Sequence, residues 1–309
     1  MTELLKPQPG DTIYDPTCGS AGMLISCITY LKEHGLEWRS VKCYGQEINP
    51  LSAAIGKMNL FLHGVSDFQI VNADTLKYPA FIDNGKLQQF DICLANPPYS
   101  ISEWNRSSFE TDPYGRNILG TPPQGRADYA FFQHIIASLK PDTGRCAILF
   151  PHGVLFRGEE REMRKNLVKL DIVDCVIGIG KNLFFNSPME ACIVICRANK
   201  PASHKGRVLF INARNEVTRK NAFSYLEEKH IQKIASAYND YEDINGFSAL
   251  ATNEEIMNNN AKLSIALYVR NESQSDTKTP DELVETWVSC MSEANQAINA
   301  LTNMISIGE

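Results

Sequence analysis

The sequence has no long apolar run. No stretch approaches the ~18 to 20 residues needed to cross a bilayer, and Met1-Thr-Glu-Leu-Leu-Lys6 lacks the basic and apolar regions of a signal peptide. A soluble, cytoplasmic chain without a membrane partner is expected. A disulfide framework is missing too. The nine cysteines are odd in number and scattered, mostly inside apolar runs such as Ala191-Cys-Ile-Val-Ile-Cys196, where they read as small, reduced, buried hydrophobes. Cys192 and Cys196 have no second Cys or His pair, so no metal site is expected. Internal repeats are lacking as well. Positive charge is in short supply: 30 Lys and Arg against 36 Asp and Glu leave a net charge of -6. A lone DNA binder needs a clustered basic surface. Either the basic residues are segregated or a partner supplies the grip.

What is present is an alternation of strand and helix. Strand-like runs recur at Thr12 to Asp15, Val41 to Glu47, Phe68 to Val71, Phe90 to Ala95, Arg145 to Pro151, Ile172 to Ile179 and Ala191 to Arg197. Between several of them, Ala21 to His34, Pro50 to His63, Ala127 to Leu139 and Glu159 to Leu170 carry apolar residues at three- and four-residue spacing. That rhythm predicts an α/β fold with a doubly wound, mostly parallel sheet. Ser100 to Gly125 breaks it with three prolines and three glycines and reads as a long mobile loop. One more apolar run, Val208 to Asn212, precedes polar helical sequence. We expect one domain over residues 1–270, and over 271–309 a linker at Ser273 to Pro280 followed by a C-terminal helix. That helix has an apolar stripe including Leu283, Trp287, Met291 and Ile298, a candidate docking element.

Two segments carry chemistry. Asp15-Pro16-Thr17-Cys18-Gly19-Ser20-Ala21-Gly22 ends a strand and opens a helix, with small residues where the backbone turns around a ligand. Neither Gly-x-Gly-x-x-Gly nor Gly-x-x-x-x-Gly-Lys-Ser/Thr is present. A carboxylate at this point suits a cationic ammonium and would repel a diphosphate; S-adenosyl-L-methionine has that ammonium, a ribose and an adenine. Glu47 ends the second strand where this architecture grips ribose hydroxyls, and Asp74 after the third can accept from the adenine amine. Each acid taken alone also fits a turn or helix cap.

The second segment, Phe90-Asp-Ile-Cys-Leu-Ala-Asn96-Pro97-Pro98-Tyr99, runs a buried strand into an amide, two prolines and a ring. An exocyclic amine on a base ring is a poor nucleophile. The Asn96 side-chain oxygen and the Pro97 carbonyl can accept from it and localise its lone pair, while Tyr99 stacks on a base turned out of the duplex. Phe156, after the strand ending at Pro151, is a candidate second stacking face. Cytosine-C5 chemistry is excluded because no cysteine follows Pro97. Arg157, Arg161, Arg164 and Lys165 interleave with Glu159, Glu160 and Glu162 and read as a solvated face.

With those residues in place, the chain resembles the modification subunit of type I restriction-modification systems, an adenine-N6 DNA methyltransferase with a Rossmann-like S-adenosylmethionine-dependent fold. The Asp15 to Gly22 segment is similar to the family's cofactor motif, with Ala21 where glycine is commoner, and Asn96-Pro-Pro-Tyr99 to its target-base motif. Pro151 to Phe156, Phe210 to Ala213, and the stretch from Gly246 to Arg270 resemble further segments. The resemblance implies site-specific adenine-N6 methylation of DNA, with a specificity subunit and a restriction subunit as partners. It also implies a helical N-terminal domain, which helps to enclose the methionine end of the cofactor and embrace DNA. This chain lacks it and is expected to be a fragment or truncated product. RNA or protein-glutamine methylation, or a cofactor-binding scaffold without activity alone, are the alternative readings of the same motifs.

Overall fold

The computed structural model describes residues 1–184, 189–220 and 223–270, with isolated positions between 284 and 292. Two compact units, Met1–Arg270 and Asn271–Glu309, make up the chain. In the second unit Val284, Trp287, Val288 and Met291 are helical and exposed. The expected linker and most of the apolar stripe lie outside the described residues.

In the first unit, strands β1 (Thr12–Asp15), β2 (Lys42–Glu47), β3 (Phe68–Asn72), β4 (Ile82–Asp83), β5 (Lys86–Leu87), β6 (Ile92–Ala95), β7 (Arg145–Pro151), β8 (Val173–Ile179), β9 (Ala191–Arg197), β10 (Arg207–Ala213), β11 (Thr218–Lys220), β12 (Phe223–Tyr225) and β13 (Ser248–Thr252) follow one another. The helices are α1 (Thr2–Leu5), α2 (Gly22–Glu33), α3 (Pro50–Leu62), α4 (Arg106–Glu110), α5 (Asp128–Ala137), α6 (Arg161–Lys169), α7 (Glu228–Asp240) and α8 (Asn253–Asn258). Nine strands form one sheet in the order β13-β10-β8-β9-β7-β6-β1-β2-β3; β4-β5 and β11-β12 are separate hairpins. Pairing is parallel from β3 through β2, β1 and β6 to β7, and between β8 and β10. Only β9, between β7 and β8, and the edge strand β13 run against their neighbours. The predicted doubly wound, mostly parallel sheet is therefore the observed one.

The near-continuous apolar runs of β6 to β9 follow from burial on both faces. Alternate residues feed two cores. Ile13, Ile92, Leu94 and Leu149 pack with side chains of α1, α2 and α7. Tyr14, Cys93, Ile148 and Phe150 point the other way and pack with α5, α6 and α8. Eight cysteines are free and buried, and among the described residues no His, Cys, Asp and Glu cluster could hold a metal. No described helix is long and apolar enough to cross a membrane.

One expectation is corrected. Residues 100–125 are not a structureless loop: α4 lies within them, Phe109 and Leu119 are buried, and Arg116, 3% exposed, pairs with Asp112 at 2.6 Å. A buried arginine ties the segment down where composition alone suggested a loop.

Candidate cofactor and target-amine site

The sheet order reverses at β1: the chain winds outward through β2 and β3 on one side and through β6 and β7 on the other. Ligands of open α/β sheets bind at the carboxyl ends of the strands flanking such a reversal. Here those ends are Asp15 and Asn96.

The turn after β1 is held by hydrogen bonds within itself and to β2. Asp15 Oδ1 accepts from the Thr17 amide at 2.9 Å, the Cys18 amide donates to the Gln46 carbonyl at 2.9 Å, and Ala21 N donates to the Cys18 carbonyl at 2.7 Å. Gly19 has φ 51° and Ala21 φ 64°, so both occupy the left-handed region. Glycine enters that region freely and alanine does so with strain. The turn also leans on α3. A Cβ built on Gly56 would lie 3.0 Å from the Gly19 carbonyl oxygen, tight enough that the turn would have to give by a few tenths of an ångström.

Two compartments open at this end of the sheet. One, of about 360 Å³, is bordered by Pro16, Thr17, Glu47, Asp74, Asn96 and Trp104. The other, of about 720 Å³, is bordered by Asp15, Thr17, Gly19, Ser20, Gly22 and Asn96, with Phe184 and Tyr225 opposite. Thr17 and Asn96 belong to both, so the two motifs meet in one place. Every residue named for the cofactor from the sequence borders one compartment or the other.

The acids differ in what they do. Asp15 is fully buried, and its Oδ2 has no hydrogen-bond partner. Burial pushes its carboxyl up to about 7, against the opposing pull of the Thr17 amide and with the Glu47 charge adding to the rise. Glu47 accepts from the Gly19 amide at 2.9 Å and from the Asn49 amide at 2.8 Å. Asp74 Oδ1 caps its own turn, accepting from Leu76 N at 2.9 Å and Lys77 N at 3.2 Å. That turn is braced from behind: Arg116 donates to the carbonyls of Thr75 at 3.1 Å and Leu76 at 3.0 Å, and the Thr75 hydroxyl donates to the Pro16 carbonyl.

On the β6 side, Asn96 is exposed and its side chain makes no hydrogen bond among the described residues. Pro97 is buried; Tyr99 is half-buried against the core, its hydroxyl unpartnered. Phe156 stands 46% exposed after β7 and borders neither compartment. The aromatic residues that do were missed: Trp104 and Phe131 in one, Phe184 and Tyr225 in the other. Only the fold brings them near Asn96. Gly56 had a signal, a glycine inside a helical pattern, which costs about 1 kcal/mol against alanine and calls for a packing reason.

The expected solvated face around α6 is found at Arg161 and at Lys165, which pairs with Glu162 at 2.7 Å, and is corrected at three other positions. Arg164 is 1% exposed and donates to the Ala261 carbonyl at 3.0 Å, and Glu160 is buried. Arg157 turns inward to Asp128 at 2.7 Å.

The model of the N-6 DNA methylase family matches residues 1–277. The chain belongs to that family. The type I restriction enzyme MjaVII methylase subunit of Methanocaldococcus jannaschii is 35% identical over 282 residues, 87% of this chain and 47% of that protein. The HindI methylase subunit of Haemophilus influenzae is 34% identical over 297 residues, 91% of this chain and 63% of that protein. Among solved structures, the type I restriction-modification system methyltransferase subunit from Streptococcus thermophilus superposes with a TM-score of 0.80 at 36% identity, covering 87% of this chain and 57% of that one. This N-6 DNA methylase chain thus spans roughly half to two-thirds of the length of these relatives.

Proposed function

We propose that this chain forms the cofactor and target-amine site of a DNA adenine-N6 methyltransferase, the modification subunit of a type I restriction-modification assembly. The observation that carries the reading is the meeting of Asn96, free and exposed, with the Asp15–Gly22 turn in compartments that share Thr17. The residues fit S-adenosyl-L-methionine. A buried carboxylate oxygen without a partner suits its ammonium, and the compartment holding Glu47 and Asp74 suits its adenosine. When bound, the cofactor supplies a methyl group made electrophilic by its sulfonium.

The chain's own residues then have distinct tasks. Asp15 and the Gly19–Gly22 backbone bind the amino-acid end, Pro16 and Ser20 shape the turn, and Glu47 and Asp74 accept from ribose and adenine. Asn96 and the Pro97 carbonyl accept from the exocyclic amine of a flipped adenine and orient its lone pair, with Tyr99 stacking on the ring. Phe156 and Phe184 are the two candidates for the opposite stacking face. DNA, a specificity subunit and a restriction subunit are the proposed partners. The net charge of -6 supports delegation of DNA contacts to them. The two-unit division supports residues 1–270 as the methyltransferase domain and 271–309 as a docking element.

The test is transfer of labelled methyl by this chain with its specificity subunit to DNA, RNA and protein, with nucleoside analysis of the product. N6-methyladenine in DNA is expected; label confined to RNA or protein overturns the reading. Asn96→Ala should abolish transfer while leaving the cofactor Kd within about twofold, because the side chain faces the target amine; equal loss of both contradicts its role.

A further inference from the structure

The turn carrying Asn96 to Tyr99 is held by a buried ion pair that the reaction as described does not use. Ser100, directly after Tyr99, has φ 52°, a left-handed conformation that a serine adopts only when its surroundings impose it. Two side chains from separate elements meet it. Its amide donates to Asp128 Oδ1 at 2.8 Å, at the first turn of α5, and its hydroxyl accepts from Arg157 Nη2 at 3.4 Å. Arg157, from the loop before α6, closes the triangle by donating through Nη1 to Asp128 Oδ2 at 2.7 Å. Asp128 is 1% exposed and its partner's side chain 17%. Space for the guanidinium is kept by Gly153, where a Cβ would lie 2.3 Å from Arg157 Nε. On the far side Glu160 Oε1 lies 3.6 Å from Arg157 Nη1, and neither Glu160 oxygen makes a hydrogen bond.

We propose that Asp128 and Arg157 are positioning residues that clamp Ser100 and thereby fix the Asn96–Tyr99 turn for the target amine. The proposal rests on reading that turn as the target-amine site. The reason for a charged clamp is geometric. Pro97 and Pro98 have no amide hydrogen, so the turn has few backbone donors with which to hold itself. A bidentate carboxylate bridged to a guanidinium replaces those bonds from outside. An apolar contact would leave the Ser100 amide unsatisfied and the left-handed residue free to relax. A misplacement of about 1 Å in a group that orients a reacting amine costs on the order of 100-fold in rate. The cofactor compartments contain neither Asp128 nor Arg157, so cofactor affinity is spared.

The test uses the full 309-residue chain carrying Arg157→Ala, with Asp128→Asn as the isosteric alternative should the first variant not fold. Amide hydrogen exchange of the peptide spanning Asn96 to Trp104 reports the clamp without any turnover. We expect at least tenfold faster exchange there and unchanged exchange in the β7 and β9 strands. Single-turnover methyl transfer to adenine-containing DNA, by the chain assembled with its specificity subunit, should fall by about 100-fold, with the cofactor Kd within twofold. Methylguanidine added to Arg157→Ala should restore part of both effects, which a general packing defect would not allow. Unchanged exchange at the turn overturns the clamp, and faster exchange with undiminished transfer overturns its positioning role. Faster exchange in a variant whose wild type, assembled with its specificity subunit, transfers no methyl to DNA supports the clamp and overturns the reading of the reaction instead.

Discussion

With Asp15 as the proposed partner of the cofactor's ammonium, cofactor binding should depend on pH in a way that can be worked out from its surroundings. Burial raises its carboxyl to about 7, so at pH 7 half of the free protein carries the charge that an ammonium needs. At pH 6 the ionised fraction falls to about one in eleven. A ligand cation at about 4 Å in a site of effective dielectric about 20 gains about 4 kcal/mol from the carboxylate, equivalent to about three pKa units. The bound protein therefore keeps Asp15 ionised down to about pH 4. Between those limits the affinity for S-adenosyl-L-methionine should drop about fivefold from pH 7 to 6 and about tenfold more by pH 5. Binding at pH 6 should release about 0.9 proton. Calorimetry in buffers of different ionisation enthalpy measures both quantities. The ligand's own amine titrates near 8, clear of this window. Asp15→Asn should bind more weakly and without the pH slope. Affinity that is flat from pH 5 to 7 in the wild-type chain, or binding without proton release, refutes the assignment of Asp15 to the ammonium.

Other consequences are separable from that one. Gly56→Ala gains helix propensity of about 1 kcal/mol but drives a methyl to 3.0 Å from the Gly19 carbonyl; thermal stability should hold or rise while cofactor affinity, measured by calorimetry, falls severalfold. Arg116→Met strands the buried Asp112 carboxylate and should cost about 3 to 5 kcal/mol in urea denaturation. Glu160 is raised to about 7, chiefly by burial and only partly offset by Arg157. Its native state holds a proton that the unfolded chain releases, so its contribution is full below the unfolded pKa of 4.5 and is lost as pH climbs to about 7. Glu160→Gln should remove about 3 kcal/mol of that decline from stability curves taken between pH 4.5 and 7.

The strands and main helices were legible because their apolar spacing is set by what each face must bury. Thr12–Asp15, Arg145–Pro151 and Ala191–Arg197 have the bounds their sequence predicts. That β9 runs antiparallel between β7 and β8 was not legible, since burial on both faces gives the same apolar run in either direction. The 100–125 segment was misread because its order comes from one buried ion pair, Arg116 with Asp112, and from Phe109 and Leu119 packing into buried apolar clusters. Composition records the prolines and glycines of such a segment and not the partner that fixes it. The inward arginines failed for the same reason: Arg157 and Arg164 share a periodic charged pattern with Arg161 and Lys165, and only their neighbours in space distinguish them.

The acids at the strand ends show why a ligand reading and a turn-cap reading need not compete. Glu47 spends one lone pair of each oxygen on the amides of Gly19 and Asn49, and Asp74 Oδ1 caps two amides of its own turn. A carboxylate has about four acceptor sites, so Glu47 keeps capacity for ribose hydroxyls while its backbone bonds hold it in place. The Gly19 amide that anchors it belongs to the turn proposed to face the cofactor. Loss of the carboxylate would therefore loosen Gly19 as well as remove an acceptor. Asp15 is the exception, with one oxygen committed to Thr17 and the other buried without any donor. Burial without a partner is costly for a charged group, and of the three acids it is Asp15 whose environment a cationic ligand would relieve.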